Sequence, residues 1–288
     1  MNETMDVDAL LKLGKRTLRA NADNLSWTGN LHNEAFDLLE MALGHYPVQG
    51  EVPSAATRRK FQRLIERRAS GEPQPYILGW CEFGPLKMKV KQGGFVPRTT
   101  SEFLSQQAAR RIARRRRPVA VDLATGVGPV ALLVKKLVGD AQVYGADISR
   151  SAIAQARANA KDLGLDVTFR VGDLFAPLPG ALCGEIDVIT MHPPYVGAEI
   201  VEDLPAEIKD YEPPESLTDG SNDGLGLVRR VVAEGRNWLR SDGWLMFEVE
   251  PPIARPVRTL LTRGGYTDVK STTDPELPIT RVVIGRKP

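Results

Sequence analysis

Residues 118–131 read Pro118-Val-Ala-Val-Asp122-Leu-Ala124-Thr-Gly126-Val-Gly128-Pro-Val-Ala131. The first half is a short apolar run, the pattern of a strand buried on both faces. It ends at Asp122 and passes into two closely spaced glycines. Glycine there lets the backbone turn tightly and lets a ligand approach without a Cβ in the way. An apolar segment of helical length follows.

The same alternation recurs downstream. Segments 142–147, 167–173, 185–191 and 243–250 read as strands, and segments 129–137, 149–163, 223–239 and 252–263 read as helices between them. Alternation of this kind gives an α/β fold, a parallel sheet with helices on both faces. The last two runs, 266–272 and 279–286, have no helix between them. Strands joined by a loop pair antiparallel, so the parallel core gains an antiparallel C-terminal edge.

Upstream the period changes. In 84–98, GPLKMKVKQGGFVPR, the residues Leu86, Met88 and Val90 alternate with Lys87, Lys89 and Lys91. That is a half-buried strand, and Gly93-Gly94 is expected to turn it into a partner around Phe95-Val96. Residues 101–115 follow as an amphipathic helix. The first 80 residues read as helices. Asp8 caps the first, whose apolar face carries Leu11 and Leu18. Phe36, Leu39 and Leu43 mark the second, which Gly44 stops. The third begins near Ser54, buries Phe61, Leu64 and Ile65, and ends in Arg67 and Arg68, where cations suit the helix dipole. The expected organisation is a helical domain over 1–80, a β-hairpin linker over 81–100 and an α/β domain over 101–288.

Composition sets outer limits. Hydrophobic residues make up 42% and charged residues 26%, which excludes a disordered or fibrous chain. Lys+Arg 38 against Asp+Glu 36 leaves a net charge of +2, too balanced for a general nucleic-acid or membrane binder. The basic run at 110–117 closes a helix just before a strand. Cations there complement the dipole and stay solvated, which argues against direct nucleic-acid binding. Cys81 and Cys183 match no metal or redox spacing, so a reducing cytosol and no metal site are expected. No apolar run spans a membrane, and the acidic N-terminus does not resemble a secretory leader. The expected location is cytoplasmic.

In such sheets ligands bind at the carboxyl ends of the strands. Gly126, Gly128 and Ala131 fit a dinucleotide fingerprint, and Asp147 ends the next strand about 20 residues on, placed to accept from a ribose diol. A nicotinamide cofactor and S-adenosyl-L-methionine both suit these residues. So does a purely structural turn with a helix-capping Asp. Two features separate the readings. Asp122, before the glycines, would repel a pyrophosphate but suits a cationic amino-acid moiety. After the fourth strand stands Met191-His192-Pro193-Pro194-Tyr195, which resembles the (N/D/S)-P-P-(Y/F) motif of class I methyltransferases acting on planar nitrogens.

The resemblance extends further. The stretch Arg68-Ala-Ser-Gly-Glu-Pro-Gln-Pro-Tyr-Ile-Leu-Gly79 with Phe83 and Phe95-Val-Pro-Arg98 is similar to the interdomain region of the release factor glutamine methyltransferases, the HemK/PrmC family. So are Asp210-Tyr-Glu-Pro213, Leu217 and Asp223-Gly-Leu225. The resemblance implies a Rossmann-like catalytic domain, a linking hairpin and an N-terminal helical domain that grips a release-factor-like protein. It implies that Asp122, Ala124, Thr125, Gly126 and Gly128 wrap the methionine part of the cofactor. Asp147 and Ile148 would hold the ribose side, Asp173 and Leu174 would flank the adenine, and Pro97 would stand near the pocket. His192, Pro193, Pro194 and Tyr195 would bind the acceptor, with His192, Pro193 and Tyr195 taking part in catalysis and His192 also touching the cofactor. The product would be S-adenosyl-L-homocysteine, with no metal taking part.

The chain also departs from the family. His192 replaces the Asn of the motif, Ala124 replaces a glycine, and Pro97-Arg-Thr-Thr-Ser-Glu102 loses a proline and an acid. Glu248-Val-Glu-Pro-Pro252 replaces a glutamate-isoleucine-glycine run. These changes cluster on the acceptor side and leave a second acceptor class open, a small molecule methylated on N or O. An oxidoreductase and a non-catalytic binding module are the readings outside methyl transfer. An amide nitrogen is a poor nucleophile because its lone pair is delocalised, and acceptors for its N–H groups localise density on nitrogen. The resemblance gives that work to the Asn carbonyl and a proline carbonyl. Neutral His192 offers one acceptor, whereas protonated His192 offers none. His192 can therefore accept from the substrate N–H, act as general base for a hydroxyl or ammonium nucleophile, or merely pack. Tyr195 can pack over the acceptor or form a plain wall. His32 and His45 read as surface residues.

Overall fold

The computed structural model describes residues 5–26 and 30–288. Residues 1–4, part of the segment read for a leader, lie outside the described residues. In chain order, helices α1 (Val7–Ala20), α2 (Leu31–Leu43), α3 (Ala55–Ala69) and α4 (Gln74–Leu78) precede strands β1 (Trp80–Phe83) and β2 (Leu86–Lys89). Next come α5 (Ser101–Ile112), β3 (Val119–Leu123), α6 (Pro129–Leu137), β4 (Gln142–Asp147), α7 (Arg150–Leu163), β5 (Val167–Val171) and β6 (Ile186–Met191). Short helices α8 (Ala206–Lys209) and α9 (Pro214–Leu217) lead to α10 (Gly226–Trp238), β7 (Leu239–Val249), α11 (Pro251–Arg263), β8 (Thr267–Thr272) and β9 (Arg281–Arg286). The chain divides into two compact units, Met1–Trp80 with Glu202–Glu212, and Cys81–Val201 with Pro213–Pro288.

The first unit is helical. Leu10, Leu18, Leu38, Leu39, Phe61 and Ile65 form its core. Gly14 lets α1 lie close on its neighbours, since a Cβ there would meet Phe61 Cζ at 2.9 Å and Ala35 Cβ at 3.2 Å. Gly44 caps α2 in the left-handed region and Ser54 caps α3. One expectation needs correction. The cap of α1 is Asp6, which accepts from the Ala9 N–H at 2.8 Å, while Asp8 sits inside the first turn. Arg67 and Arg68 stand in the last turn of α3 as read, and Arg68 is in addition buried: it is 2% exposed and donates to Glu34 at 2.6 Å and Glu207 at 3.2 Å. Glu207 also accepts from the Ser26 N–H and hydroxyl. These bonds make Glu202–Glu212 part of a unit otherwise built from the N-terminal residues, and a buried cation here is matched by two carboxylates.

The second unit is a seven-stranded sheet in the order β5-β4-β3-β6-β7-β9-β8. Strands β5, β4, β3, β6 and β7 pair parallel, while β9 pairs antiparallel with β7 and with β8. Every residue of the central strand β6 is buried, as a strand covered on both faces requires. Chain order reverses beside β3, with β4 on one side and β6 on the other, and a crevice opens at such a point. Gly145 in β4 leaves room for Phe169, since a Cβ there would meet that ring at 2.6 Å. The helix read as ending at 115 stops at Ile112. Part of the basic run is tied to the sheet rather than solvated. Arg115 and Arg240 pair with buried Asp187, and the Arg111 guanidinium lies 4.9 Å from the Trp244 ring centre.

The hairpin differs from expectation. β2 pairs with β1, not with Phe95-Val96. Beyond β2 the backbone is held by side chains of α7: the Lys91 N–H donates to Gln155 Oε1 at 2.9 Å, and Asn159 both accepts from the Lys89 N–H and donates to its carbonyl. The two glycines serve close approach. A Cβ on Gly94 would meet Val127 Cγ1 at 2.5 Å, and one on Gly93 would meet Ser151 Oγ at 2.7 Å. The segment is thereby laid along the glycine turn and carries Phe95, Pro97 and Arg98 to the crevice. Cys81 and Cys183 are free thiols. Among the described residues no helix is long and apolar enough to cross a membrane.

Candidate active site

A cavity of about 380 Å³ opens where β3, β4, β5 and β6 end, within the range of small-molecule sites. The loop after β3 forms one wall. Ala124, Gly126 and Gly128 all have positive φ, at +51°, +56° and +89°. Ala124, Thr125 and Gly126 line the cavity, and a Cβ at Gly126 would find nothing nearer than 4.0 Å, so it would take up ligand space. Gly128 is not a lining residue. It is the N-cap of α6, and a Cβ there would strike Phe169 at 2.7 Å; its place in the motif is a matter of helix-to-strand packing. The Ala124 change is less mild than its chemistry implies, because a residue with a Cβ pays about 1–2 kcal/mol in the left-handed region. Ala124→Gly is therefore expected to raise the unfolding free energy by about 1 kcal/mol, read by thermal denaturation; a lower melting temperature would contradict this.

Asp122, the penultimate residue of β3, is 4% exposed. Thr125 and Thr190 hydroxyls donate to its two oxygens at 2.6 and 2.7 Å. The β3–β6 register sets Thr190 directly opposite Asp122, a partner invisible before the pairing is known. Burial pushes the Asp122 carboxyl up to about 7, the two hydroxyls oppose this, and nearby Asp147 adds to it. Asp147 ends β4 and pins the glycine loop: its oxygens accept from the Gly126 and Ser149 N–H groups, both at 2.8 Å. Burial raises its pKa against those two bonds. Each oxygen keeps acceptor capacity for a ligand hydroxyl. Ile148, 65% exposed, lines the rim beside it.

Asp173 and Leu174 line the end of β5. Asp173 is engaged by Arg230 of α10 through two bonds, at 3.2 and 2.7 Å, and Arg230 lines the cavity too. That arginine was not foreseen, because nothing local links it to β5. Pro193 and Pro194, after β6, form the opposite wall with His192. The His192 side chain is 17% exposed, with Nδ1 at 3.2 Å from Ser101 Oγ. Tyr195 does not line the cavity but stacks on the imidazole at 5.6 Å, and burial raises its pKa. Phe95 meets the same ring edge-on at 5.9 Å, and the Arg98 guanidinium lies over Phe95. Burial holds the His192 pKa below its ordinary 6.5; Arg98 acts in the same direction, while Glu248 and Glu250 oppose it. Phe95, Ser101, Thr190 and Arg230 are thus parts of the site that sequence reading missed.

A family profile described as "Methyltransferase domain" matches residues 120–210. A solved methyltransferase from Pyrococcus furiosus shares the fold with TM-score 0.52, at 18% identity over 71% of this chain and 90% of that one. The fold is therefore that of the class I methyltransferases. The chain is 37% identical to the release factor glutamine methyltransferase of Geobacter sulfurreducens, over 77% of its own length and 76% of the relative's. The corresponding Xylella fastidiosa protein is 35% identical over 83% and 86%. The chain belongs to the release factor glutamine methyltransferase family.

Proposed function

We propose that this chain transfers a methyl group from S-adenosyl-L-methionine to the side-chain amide of a glutamine in a release-factor-like protein. The observation that carries the reading is the single cavity joining the glycine loop, Asp122 and Asp147 to the His192-Pro193-Pro194 corner. The residues fit the donor: a buried carboxylate for its cationic end, a second carboxylate for a diol, and a loop free of Cβ at Gly126. When bound, the donor supplies an electrophilic methyl on a sulfonium. Asp122 would face the positive charge, Asp147 would orient the ribose, and Leu174 and Ile148 would cover apolar surface. His192 and the diproline backbone would hold the acceptor nitrogen within about 3–3.5 Å of the methyl carbon, in line with sulfur. The helical unit, with its Glu202–Glu212 excursion, would recognise the protein substrate.

The test is incubation with isotopically labelled donor and a release factor, followed by peptide mass spectrometry. Methylated glutamine supports the reading. His192 in place of Asn favours one competitor, a small-molecule acceptor, and labelling of a metabolite extract with none of the protein would establish that competitor instead.

His192 gives a sharper prediction. His192→Asn restores a side-chain carbonyl, so amide methylation is expected to persist within about tenfold, whereas His192→Ala removes the acceptor and lowers kcat by about 10–100-fold. The neutral imidazole is the active form, so the wild-type rate is expected to fall on acidification through the His192 pKa, below pH 6.5. The Asn variant should lack that limb. Collapse of the Asn variant would instead make His192 a general base.

A further inference from the structure

Behind His192 lies a buried carboxylate that the scheme above does not use. Glu248 stands near the end of β7 with 0% exposure. Its Oε1 accepts from the Thr280 hydroxyl at 3.1 Å. Its Oε2 has no hydrogen-bond partner among the described residues. A buried acceptor left so is costly, and more so when charged. The register explains what it faces. Met191 of β6 pairs with Phe247 of β7, so His192, the first residue past β6, comes beside Glu248, which is still in β7 and paired with Val282 of β9. Glu248 Oε2 stands 3.9 Å from His192 Nδ1, the same nitrogen that lies 3.2 Å from Ser101 Oγ.

The two tautomers of a neutral imidazole are not equivalent here. A proton on Nε2 would aim the Nδ1 lone pair at a carboxylate oxygen that already lacks a donor. A proton on Nδ1 offers that N–H to the Ser101 and Glu248 oxygens together, and a small approach would close the bond to Glu248. We propose that Glu248 is a positioning residue for methyl transfer: with Ser101 it holds the proton on Nδ1, so that Nε2 of His192 presents its lone pair to the N–H of the methyl acceptor. The acceptor half rests on the proposed function; the tautomer half does not.

The groups around the ring fix the charge state as well. Glu248 and Glu250, from the end of β7, favour the imidazolium. Arg98, from the segment before α5, and the burial given by Phe95 and Tyr195 disfavour it. The balance leaves a neutral ring whose orientation is set by one anion.

The experiment is nitrogen NMR of the full chain labelled with ¹⁵N-histidine. Only three histidines are present, and His192→Asn identifies the signal. The expected wild-type spectrum at neutral pH has Nδ1 protonated and Nε2 bare. Glu248→Gln is expected to move population toward the Nε2–H form, to shift the acid limb of the rate profile to lower pH, and to lower kcat about tenfold with KM for the donor unchanged. In the His192→Asn background the same Glu248→Gln change should have no effect on kcat. A wild-type spectrum of the Nε2–H tautomer would overturn the proposal, as would an equal kcat loss in both backgrounds. Should Glu248→Gln fail to fold, the wild-type spectrum alone decides. The spectrum needs no acceptor, so a failed substrate reading and a failed dyad are told apart.

Discussion

Replacing Asp122 by asparagine is expected to stabilise the ligand-free protein at pH 8 while weakening its grip on S-adenosyl-L-methionine by about 10–100-fold. Both effects come from one buried charge. The carboxyl titrates at about 7 in the fold against an ordinary 3.8. Between those values the folded chain holds a proton that the unfolded chain has lost, so stability falls as pH rises through the window and the loss is complete above about 7. The destabilisation left above that window is on the order of 4 kcal/mol. An amide carries no such penalty, and its oxygen can still accept from one of the two threonines. The gap in melting temperature between variant and wild type should therefore widen from pH 5 to pH 8. A bound cation changes the balance. It draws Asp122 into its ionised form, so donor binding should release a proton and tighten with pH up to about 7, which calorimetry in buffers of different ionisation enthalpy reads directly. A variant that is destabilised at pH 8 and binds the donor normally would contradict the account.

Gly224→Ala is expected to lower kcat by about 100-fold while leaving S-adenosyl-L-homocysteine affinity nearly unchanged. Gly224 has φ +64°, and a Cβ there would overlap the Tyr195 carbonyl. The clash cannot be relieved by a side-chain rotation because both partners are backbone. Tyr195 forms a bridge to Thr218 and stacks on His192, so its displacement carries the whole acceptor corner with it. The left-handed backbone adds about 1–2 kcal/mol of strain. The donor loops after β3 and β4 lie elsewhere and should keep their geometry. Activity within twofold of wild type would show that the corner does not depend on this glycine; lost donor affinity would show that the damage is not confined to it.

The parts of this molecule that were legible in the sequence are those fixed by local pattern. The run 186–191 is mostly apolar because a central strand has no exposed face, and the helices between the strands announce themselves by their period. The donor loop was readable because its glycines are demanded by backbone conformation at one place. Misreadings arose where a residue answers to something distant. Gly93 and Gly94 look like a hairpin turn but exist to let the chain pass Ser151, Val127 and Gln155. Arg68 does stand in a last helical turn, yet nothing local tells that two carboxylates draw it inward, one of them 139 residues away. Ser101 and Glu248 stand in segments whose departures from the family pattern pointed to the acceptor side, but their approach to His192, like the bond from Thr190 to Asp122, comes from strand register and packing, for which a single sequence has no signal. Asp6 and Asp8 both suit a helix start, and only the hydrogen bond to Ala9 separates them.

The most direct test is a calorimetric titration of the purified full chain with S-adenosyl-L-homocysteine, repeated on Asp147→Ala. One saturable site is expected, with a large loss of affinity once the carboxylate that pins the glycine loop is gone. No detectable binding to the unaltered chain, or binding indifferent to Asp147, would contradict it.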